Sequence, residues 1–450
     1  MGASMQFRIG AARLSACAAL AACLALPAQG GTTPAVGASS SMGEHGAGEE
    51  GGRGLALRAK KILVAEYGGR SVVNNGLLLV RNGKIEAIGA ASTMVVPDGF
   101  DDVDLGDLWI APGMVDLHCH VAGGMRDIND TVYLTNPGCR ASATVTPGNS
   151  AMRRAVAGGV TSVLYIPGSG TNIGGQGVLL RTGFDHYDDV ELRNPGSLKL
   201  AQAGNPERWI INPGRAFMNW NTRNTFKRGV AYAKRWEDHA QNGGAKPDKD
   251  IQLEIFKTLK EGKAQVSTHT QIYQVVMMTL DMIRKELGLP VYIDHGTFDG
   301  WRAGAVAQER GVPAILGPRA IDVPLAGFIR WSGSNPERIQ GVAAGYQQMG
   351  HKMIGFNTDS PVVPQEELSV QAAMGVRYGF DNSEMDAVRG LTIVPAMAAG
   401  IDDRVGSIEV GKEADLLILT GDPADPRTSI EGVYQRGAKV YDTGEDERRW

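Results

Sequence analysis

The chain has 450 residues, of which 43% are hydrophobic and 21% are charged, and its net charge is −4. These values are typical of a globular protein that has one large domain and a smaller one. Because no basic run stands out, the composition gives no support to a nucleic-acid partner.

Residues 1–30 are predicted to be an export signal and not part of the fold. Arg8 and Arg13 precede an apolar run that is shorter than the roughly 20 residues needed to span a bilayer, and small residues follow it. Cleavage near Ala28 would release a soluble periplasmic protein, whereas cleavage at Cys23 would leave an outer-envelope lipoprotein with a lipid anchor. The small, polar, glycine-rich residues 31–54 predict a flexible linker.

Both ends of the mature chain predict short strands. Residues 55–112 alternate between apolar and polar side chains, and Asn82-Gly83 is a hairpin signal. Residues 396–445 show the same pattern and again predict short strands separated by glycine turns. With only Cys119 and Cys139 left after export, the chain is no disulfide scaffold, and their spacing does not decide whether they pair.

The middle of the chain, residues 113–395, predicts an α/β fold in which eight strands alternate with helices. The clearest helix, at 271–288, has apolar residues at helical spacing and ends at Gly288. This rhythm favours a (β/α)8 barrel of the TIM type over an open doubly wound sheet. The predicted strands lie at 113–118, 159–168, 177–183, 198–204, 263–269, 290–296, 312–317 and 353–360.

A glycine-rich stretch tests the open-sheet alternative. Gly168, Gly170 and Gly174 follow a strand but miss the dinucleotide-binding spacing by one residue. The residues after them are typical of a strand and not of a helix start. The stretch therefore favours a turn or a substrate loop over a dinucleotide site.

The segment "VDLHCH" suggests a metal site. Residues i and i+2 of a strand share a face, so His118 and His120 point the same way and Cys119 points away. At the carboxyl end of a barrel strand the shared face is the mouth, where barrel enzymes build their sites. Two imidazoles at that place can hold one metal ion.

Further candidate ligands end later predicted strands. They are His269, His295 and Asp359, so four of the eight histidines in the chain fall at strand ends facing one mouth. A lone histidine at a strand end is usually a satisfied polar residue, but this set of five predicts a metal site.

The chain resembles the amidohydrolase superfamily of metal-dependent barrel hydrolases, and within it the imidazolonepropionase-like group. The resemblance covers roughly residues 55–443. It implies that the two β-rich ends meet as one small β-sandwich beside the barrel. The matching segments are 111–120, 159–168, His269, 294–298, 357–362, 391–419 and 432–442.

The resemblance also implies roles for the site residues. His118 and His120 would hold the more buried metal with Asp359, and His269 and His295 would hold a second metal. Lys199 matches the carboxylated lysine that bridges the metals of two-metal members; an ordinary ion-paired lysine is the alternative. The cofactor implied is one or two divalent metal ions, with zinc favoured in either case. With one metal, the ligands would be the histidines 118, 120 and 269 with Asp359, and His295 would polarise the substrate.

The implied reaction is hydrolysis of the C–N bond of an amide, a cyclic amide or a peptide-like small molecule. A bound divalent cation supplies hydroxide from water, and Asp359 moves the proton to the leaving amine. Arg319 and Tyr133 are candidate substrate contacts. Deamination or C–O hydrolysis at the same site, and a catalytically dead binding protein, are the alternatives; a homo-oligomer is compatible with all of them.

Overall fold

The computed structural model describes residues 53–129, 131–333 and 337–446. The predicted export signal and nearly all of the predicted linker lie outside the described residues. No helix in the part of the chain that is described is long and apolar enough to cross a membrane.

The strands fall into two large sheets and one small ribbon. In chain order they are β1 (Gly54–Leu63), β2 (Val72–Arg81), β3 (Lys84–Ala90), β4 (Phe100–Asp104), β5 (Trp109–Pro112), β6 (Met114–Cys119), β7 (Val160–Tyr165), β8 (Ile173–Arg181), β9 (Glu191–Ala201), β10 (Gln265–His269), β11 (Val291–His295), β12 (Ala314–Leu316), β13 (Ile321–Asp322), β14 (Gln340–Gly341), β15 (Ile354–Phe356), β16 (Leu416–Leu419), β17 (Ile430–Gln435) and β18 (Ala438–Asp442).

The two β-rich ends meet in a single eight-stranded sheet, which we call the end sheet. Its order is β18-β17-β16-β5-β1-β2-β3, with β4 also paired to β1. The junction is the antiparallel pair of β5 and β16, in which Ile110 faces Ile418. The predicted meeting of the ends is therefore present, whereas a sandwich of two packed sheets is not confirmed.

The second large sheet is the barrel, with the order β15-β12-β11-β10-β9-β8-β7-β6. It is nearly closed, because Cys119 at the end of β6 forms a bridge to Ser360, which follows β15. The His120 amide donates to the Ser360 carbonyl over 3.0 Å. The barrel strands are almost wholly buried, as expected of strands covered on both faces.

One part of the predicted alternation is wrong. The eight predicted barrel strands are all present, but β8 is antiparallel to both β7 and β9. The connections at residues 166–172 and 182–190 are shorter than the dozen or more residues that a parallel crossover needs. The other seven strands are parallel, so the carboxyl ends that carry the predicted ligands still share one mouth.

The helices cover the barrel. They are α1 (Ser150–Ala157), α2 (Tyr187–Val190), α3 (Arg215–Asn242), α4 (Ile255–Lys260), α5 (Tyr273–Thr279), α6 (Gly304–Glu309), α7 (Ala326–Ser332), α8 (Val342–Gln348), α9 (Leu368–Arg377), α10 (Asp386–Leu391) and α11 (Ile393–Ala399). The helix predicted at 271–288 is α5, continued as a π-helix over Leu280–Glu286. Gly288 follows it with φ +67°, a left-handed conformation that favours glycine.

Candidate metal centre

The candidate site begins on β6, where alternate side chains turn into the barrel. Asp116, His118 and His120 share this face and are at most 8% exposed. Cys119 points to the opposite layer and is buried in the hydrophobic core. Cys119 and Cys139 are both free thiols. The i, i+2 alternation thus separates the two imidazoles from the thiol between them.

Each of three imidazoles directs one ring nitrogen to an oxygen acceptor. His118 Nδ1 lies 2.6 Å from Asp294 Oδ2, and His120 Nδ1 lies 2.8 Å from the Ile166 carbonyl oxygen. His295 Nδ1 lies 2.7 Å from the carbonyl oxygen of residue 317. When these rings are neutral and donate Nδ1–H outward, as metal binding requires, each Nε2 lone pair points into the site.

The inward-facing atoms are close together. His118 Nε2 lies 3.1 Å from His120 Nε2 and 3.2 Å from Asp359 Oδ1. His295 Nε2 lies 2.9 Å from His269 Nδ1. Donor atoms of His118, His295 and Asp359 all lie within 4.8 Å of one another.

This spacing fits a divalent metal. Two donors at 2.0–2.1 Å from a tetrahedral zinc ion are roughly 3.3 Å apart, close to the separations seen here. Nitrogen lone pairs that face one another at such distances repel unless a proton or a metal cation lies between them. The donor set of imidazoles and one carboxylate suits zinc and similar metals.

Asp359 is held in place by its neighbours on the loop after β15. The Thr358 hydroxyl donates to Asp116 Oδ2 over 2.6 Å, and the Thr358 amide donates to the same oxygen over 3.1 Å. Gln365 also donates to it, over 2.6 Å. Asp359 has φ +50° and His295 has φ +69°, conformations that non-glycine residues adopt at a cost of about 1–3 kcal/mol each. Strain of this kind is common at functional sites.

Lys199 lies inside the site. Near the carboxyl end of β9 it is fully buried, and its Nζ lies 3.2 Å from His118 Nε2. Among the described residues it has no carboxylate within ion-pair distance. Burial lowers the pKa of its ammonium group, although Asp294 and Asp359 oppose this.

The charges of the cluster favour a cation at its centre. Burial opposes ionisation of both His118 and Asp294, but their mutual attraction raises the pKa of His118 to about 9 and lowers the pKa of Asp294. His118 likewise overcomes the effect of burial to hold the pKa of Asp359 well below its usual range. Burial, followed by the charge of His118, lowers the pKa of His295 to about 4.

Sequence reasoning missed two buried carboxylates of the site. Asp116 lies two residues before His118, so the same alternation could have placed it on the inner face. Asp294 immediately precedes His295 and was passed over, because only the left-handed turn at His295 brings both side chains to the site. Asp294 Oδ1 is also fixed by the amide group of Asn357, over 3.0 Å.

A cavity of about 840 Å³ opens onto Asp359. Arg319 lines it, so the structure brings this predicted substrate contact to the cavity. Tyr133 is 68% exposed and is not among the lining residues. Polar and aromatic side chains share the wall, chiefly Glu207, Arg208, Phe298 and Trp331.

Comparison with known proteins finds similarity to amidohydrolases. Residues 336–441 match the amidohydrolase family. Amidohydrolase tasK of Hapsidospora irregularis is 22% identical over 83% of this chain, which spans only 40% of that relative. An imidazolonepropionase of Pseudomonas putida is 24% identical over 77% of this chain and 88% of its own length. The crystal structure of an amidohydrolase from Thermotoga maritima MSB8 is 28% identical, with a TM-score of 0.75 over 86% of this chain and 100% of that one.

The chain is similar to amidohydrolases both in sequence and in fold. The resemblance read from the sequence is thereby confirmed, as is the barrel. The amidohydrolases and imidazolonepropionases that it resembles are hydrolases that act on carbon–nitrogen bonds, and the use of divalent metals is general to their family.

Proposed function

We propose that this protein hydrolyses the C–N bond of an amide, a cyclic amide or a peptide-like small molecule with the help of a bound divalent metal. The observation that carries the proposal is the convergence of four imidazole nitrogens and Asp359 Oδ1 at the mouth of the barrel. The adjoining cavity of about 840 Å³ is of the size that holds a small ligand.

The metal would be held by His118, His120 and Asp359, with His269 and His295 completing one or two sites. Zinc suits these donors best. When bound, such a cation lowers the pKa of water toward neutrality and supplies a nucleophile. The barrel contributes rigid placement, since every ligand lies on a strand or within three residues of a strand end.

Asp359 is the residue placed to move the proton. Its Oδ1 faces His118 and His120, and the residue also lines the cavity. As the oxygen of water bonds to the carbonyl carbon, Asp359 accepts the proton and passes it to the leaving nitrogen. The C–N bond breaks, and the products are a carboxylate and an amine. His295 polarises the carbonyl group if it does not hold metal.

Metal analysis and turnover test the proposal together. In purified protein, His120→Ala is expected to lower both the metal-to-chain ratio and hydrolysis of a panel of N-acyl amino acids and dipeptides. His186→Gln, an exposed substitution outside the site, is the matched control and should change neither. Full hydrolysis by a metal-free preparation would contradict the proposal.

We also propose that Lys199 is carboxylated and bridges two metals. Its buried amine has His118 as its nearest described polar partner, and a carbamate would add two oxygen ligands there. Carbon-13 NMR after exchange with labelled bicarbonate should give a carbamate signal that Lys199→Gln abolishes, with a metal-to-chain ratio near two. No carbamate and a ratio near one would reject the bridge and leave the one-metal site.

Export remains a proposal that rests on residues 1–30 alone. Cell fractionation with N-terminal sequencing of the mature protein tests it. A start near residue 29 would indicate a soluble periplasmic protein, and a lipidated Cys23 would indicate a lipoprotein. Recovery from the cytosol with residues 1–30 intact would reject both.

A further inference from the structure

Two aromatic rings form a corner in the cavity wall. Phe298 and Trp331 meet edge to face with their centroids 5.4 Å apart, and both line the cavity that opens onto Asp359. We call this pair the aromatic corner. Edge-to-face rings present flat apolar surface to a ligand that enters between them and the metal centre.

The aromatic corner is held rigidly. Trp331 Nε1 donates to Glu207 Oε2 over 3.0 Å, and Arg215 donates to the Trp331 carbonyl oxygen over 2.8 Å. The Phe298 amide donates to the buried carboxylate of Asp322 over 2.9 Å. A wall fixed in this way can select the shape of a ligand, because little side-chain freedom is lost on binding.

Most charged side chains of the cavity wall lie next to a partner of opposite charge or an aromatic ring. Glu207 is paired with Arg215 over 2.6 Å, and Asp359 faces the histidines. Arg319 lies over the ring of residue 298 and lowers the pKa of Asp322, although burial raises that pKa overall.

Arg208 differs from these residues. It is exposed at the cavity wall, and among the described residues no carboxylate lies within ion-pair distance of it. The wall outside the metal centre therefore carries a positive charge that an anionic group of a ligand would balance.

We propose that the cavity takes a substrate that carries a carboxylate, recognised by Arg208, and a flat apolar group, recognised by the aromatic corner. The chemical class is an N-acyl or peptidyl amino acid with an aromatic or branched side chain. This inference rests on the proposed function for the position of the scissile bond, at Asp359. The carboxylate and the ring are recognised separately, so each can be tested separately.

The test measures binding to the full-length, metal-free protein, so that a carboxylate cannot bind a metal ion. The probes are 3-phenylpropanoate, 3-phenylpropanamide and propanoate, and isothermal titration calorimetry gives each Kd. We expect 3-phenylpropanoate to bind more tightly than the other two by about tenfold, because each of them lacks one of the two groups.

Variants test whether Arg208 binds the carboxylate of the probe and whether the aromatic corner binds its ring. Arg208→Gln should weaken 3-phenylpropanoate by about tenfold and leave the amide unchanged, whereas Arg228→Gln, an exposed arginine on α3, should change neither. Trp331→Leu should weaken both aromatic probes, and the exposed Trp220→Leu should not. Equal affinity for acid and amide, or unchanged binding in Arg208→Gln, would overturn the proposal.

The measurement separates this inference from the hydrolytic function. Probe binding to metal-free protein does not depend on turnover, so an inactive enzyme that still binds 3-phenylpropanoate through Arg208 would contradict hydrolysis alone. A metal-loaded enzyme that hydrolyses N-acyl amino acids and their uncharged amides equally well would contradict the carboxylate preference alone.

Discussion

The orientation of His118 depends on a single buried carboxylate. Asp294 Oδ2 lies 2.6 Å from His118 Nδ1, which fixes the tautomer that turns Nε2 into the site. In Asp294→Asn, the side-chain amide can direct its own N–H toward Nδ1–H of His118. Two donors would then face each other, and the His118 ring would lose the acceptor that orients it. Because partners of this kind tune metal ligands, we expect the affinity for zinc to fall by about 10- to 100-fold.

Competition with a chromogenic chelator measures that affinity. Asp107→Asn, at a fully solvated carboxylate of the end sheet, is the matched control and should bind zinc as the wild type does. Retention of wild-type affinity in Asp294→Asn would show that His118 does not need this partner to bind metal.

The site residues differ in how far the sequence predicts them. Period-two alternation was enough to place His118 and His120 on one face, because it follows from strand geometry alone. Asp359 lies three residues beyond β15 in a left-handed conformation, so no periodicity positions it, and the family resemblance was needed. The burial of Lys199 against His118 depends on the closure of the barrel, which the sequence does not encode locally.

At the scale of elements, the end of β12 approaches the end of β15 very closely. Gly317 has φ +150°, and a Cβ added there would lie 2.2 Å from the carbonyl oxygen of Asn357. The Gly317 carbonyl oxygen also accepts from His295 Nδ1. Gly317→Ala should therefore lower the free energy of unfolding by about 3 kcal/mol or more, since backbone must move and residue 317 is strained.

A second glycine separates the two effects of Gly317→Ala, the steric contact of the added Cβ and the strained backbone conformation. Gly311 has φ +61° with nothing within 4 Å of an added Cβ, so Gly311→Ala should lower the free energy of unfolding by only about 1–2 kcal/mol. Urea denaturation compares the two variants. Equal losses would mean that the contact with Asn357 contributes nothing beyond the left-handed conformation.

The existence of the elements was easier to predict than their direction. All eight barrel strands could be found from apolar runs, because each is buried on both faces. The antiparallel direction of β8 depends on the length of its two connections, which are too short for a parallel crossover. The helix at 271–288 is predicted from its period, but that period does not predict the π-helical geometry of Leu280–Glu286.

At the scale of the whole molecule, one carboxylate joins the barrel to the end sheet. Glu413, just before β16, accepts from Arg181 of β8 and from Arg404, each over 2.6 Å. The Arg181 side chain is only 4% exposed. Glu413→Gln would leave that guanidinium buried without a counter-charge, so we expect the free energy of unfolding to fall by about 3–5 kcal/mol.

Thermal and urea unfolding both report this loss. Glu86→Gln, on β3 of the end sheet, removes a carboxylate whose pair with Arg81 is exposed on both sides, so it should lower the free energy of unfolding by less than about 1 kcal/mol. If both substitutions lower the free energy of unfolding equally, the attachment of the end sheet to the barrel does not depend on the buried pair.

The dependence of stability on pH also belongs to the whole molecule, and His351 provides a test away from the metal centre. It follows α8, is 2% exposed, and burial lowers its pKa to about 4, with only a backbone contact to Met353 opposing. In the unfolded chain its pKa is about 6.5. Between pH 6.5 and 4 the unfolded state therefore binds a proton that the folded state does not, so stability falls as the pH falls.

The size of the shift sets the expected effect. From pH 7 to pH 4, His351 should account for a loss of about 2–3 kcal/mol in the free energy of unfolding. Because other buried histidines also titrate, the quantity to measure is the difference between wild type and His351→Gln, by urea unfolding at each pH. As the pH falls, the free energy of unfolding of the variant should rise relative to that of the wild type. A constant difference would mean that His351 titrates alike in both states.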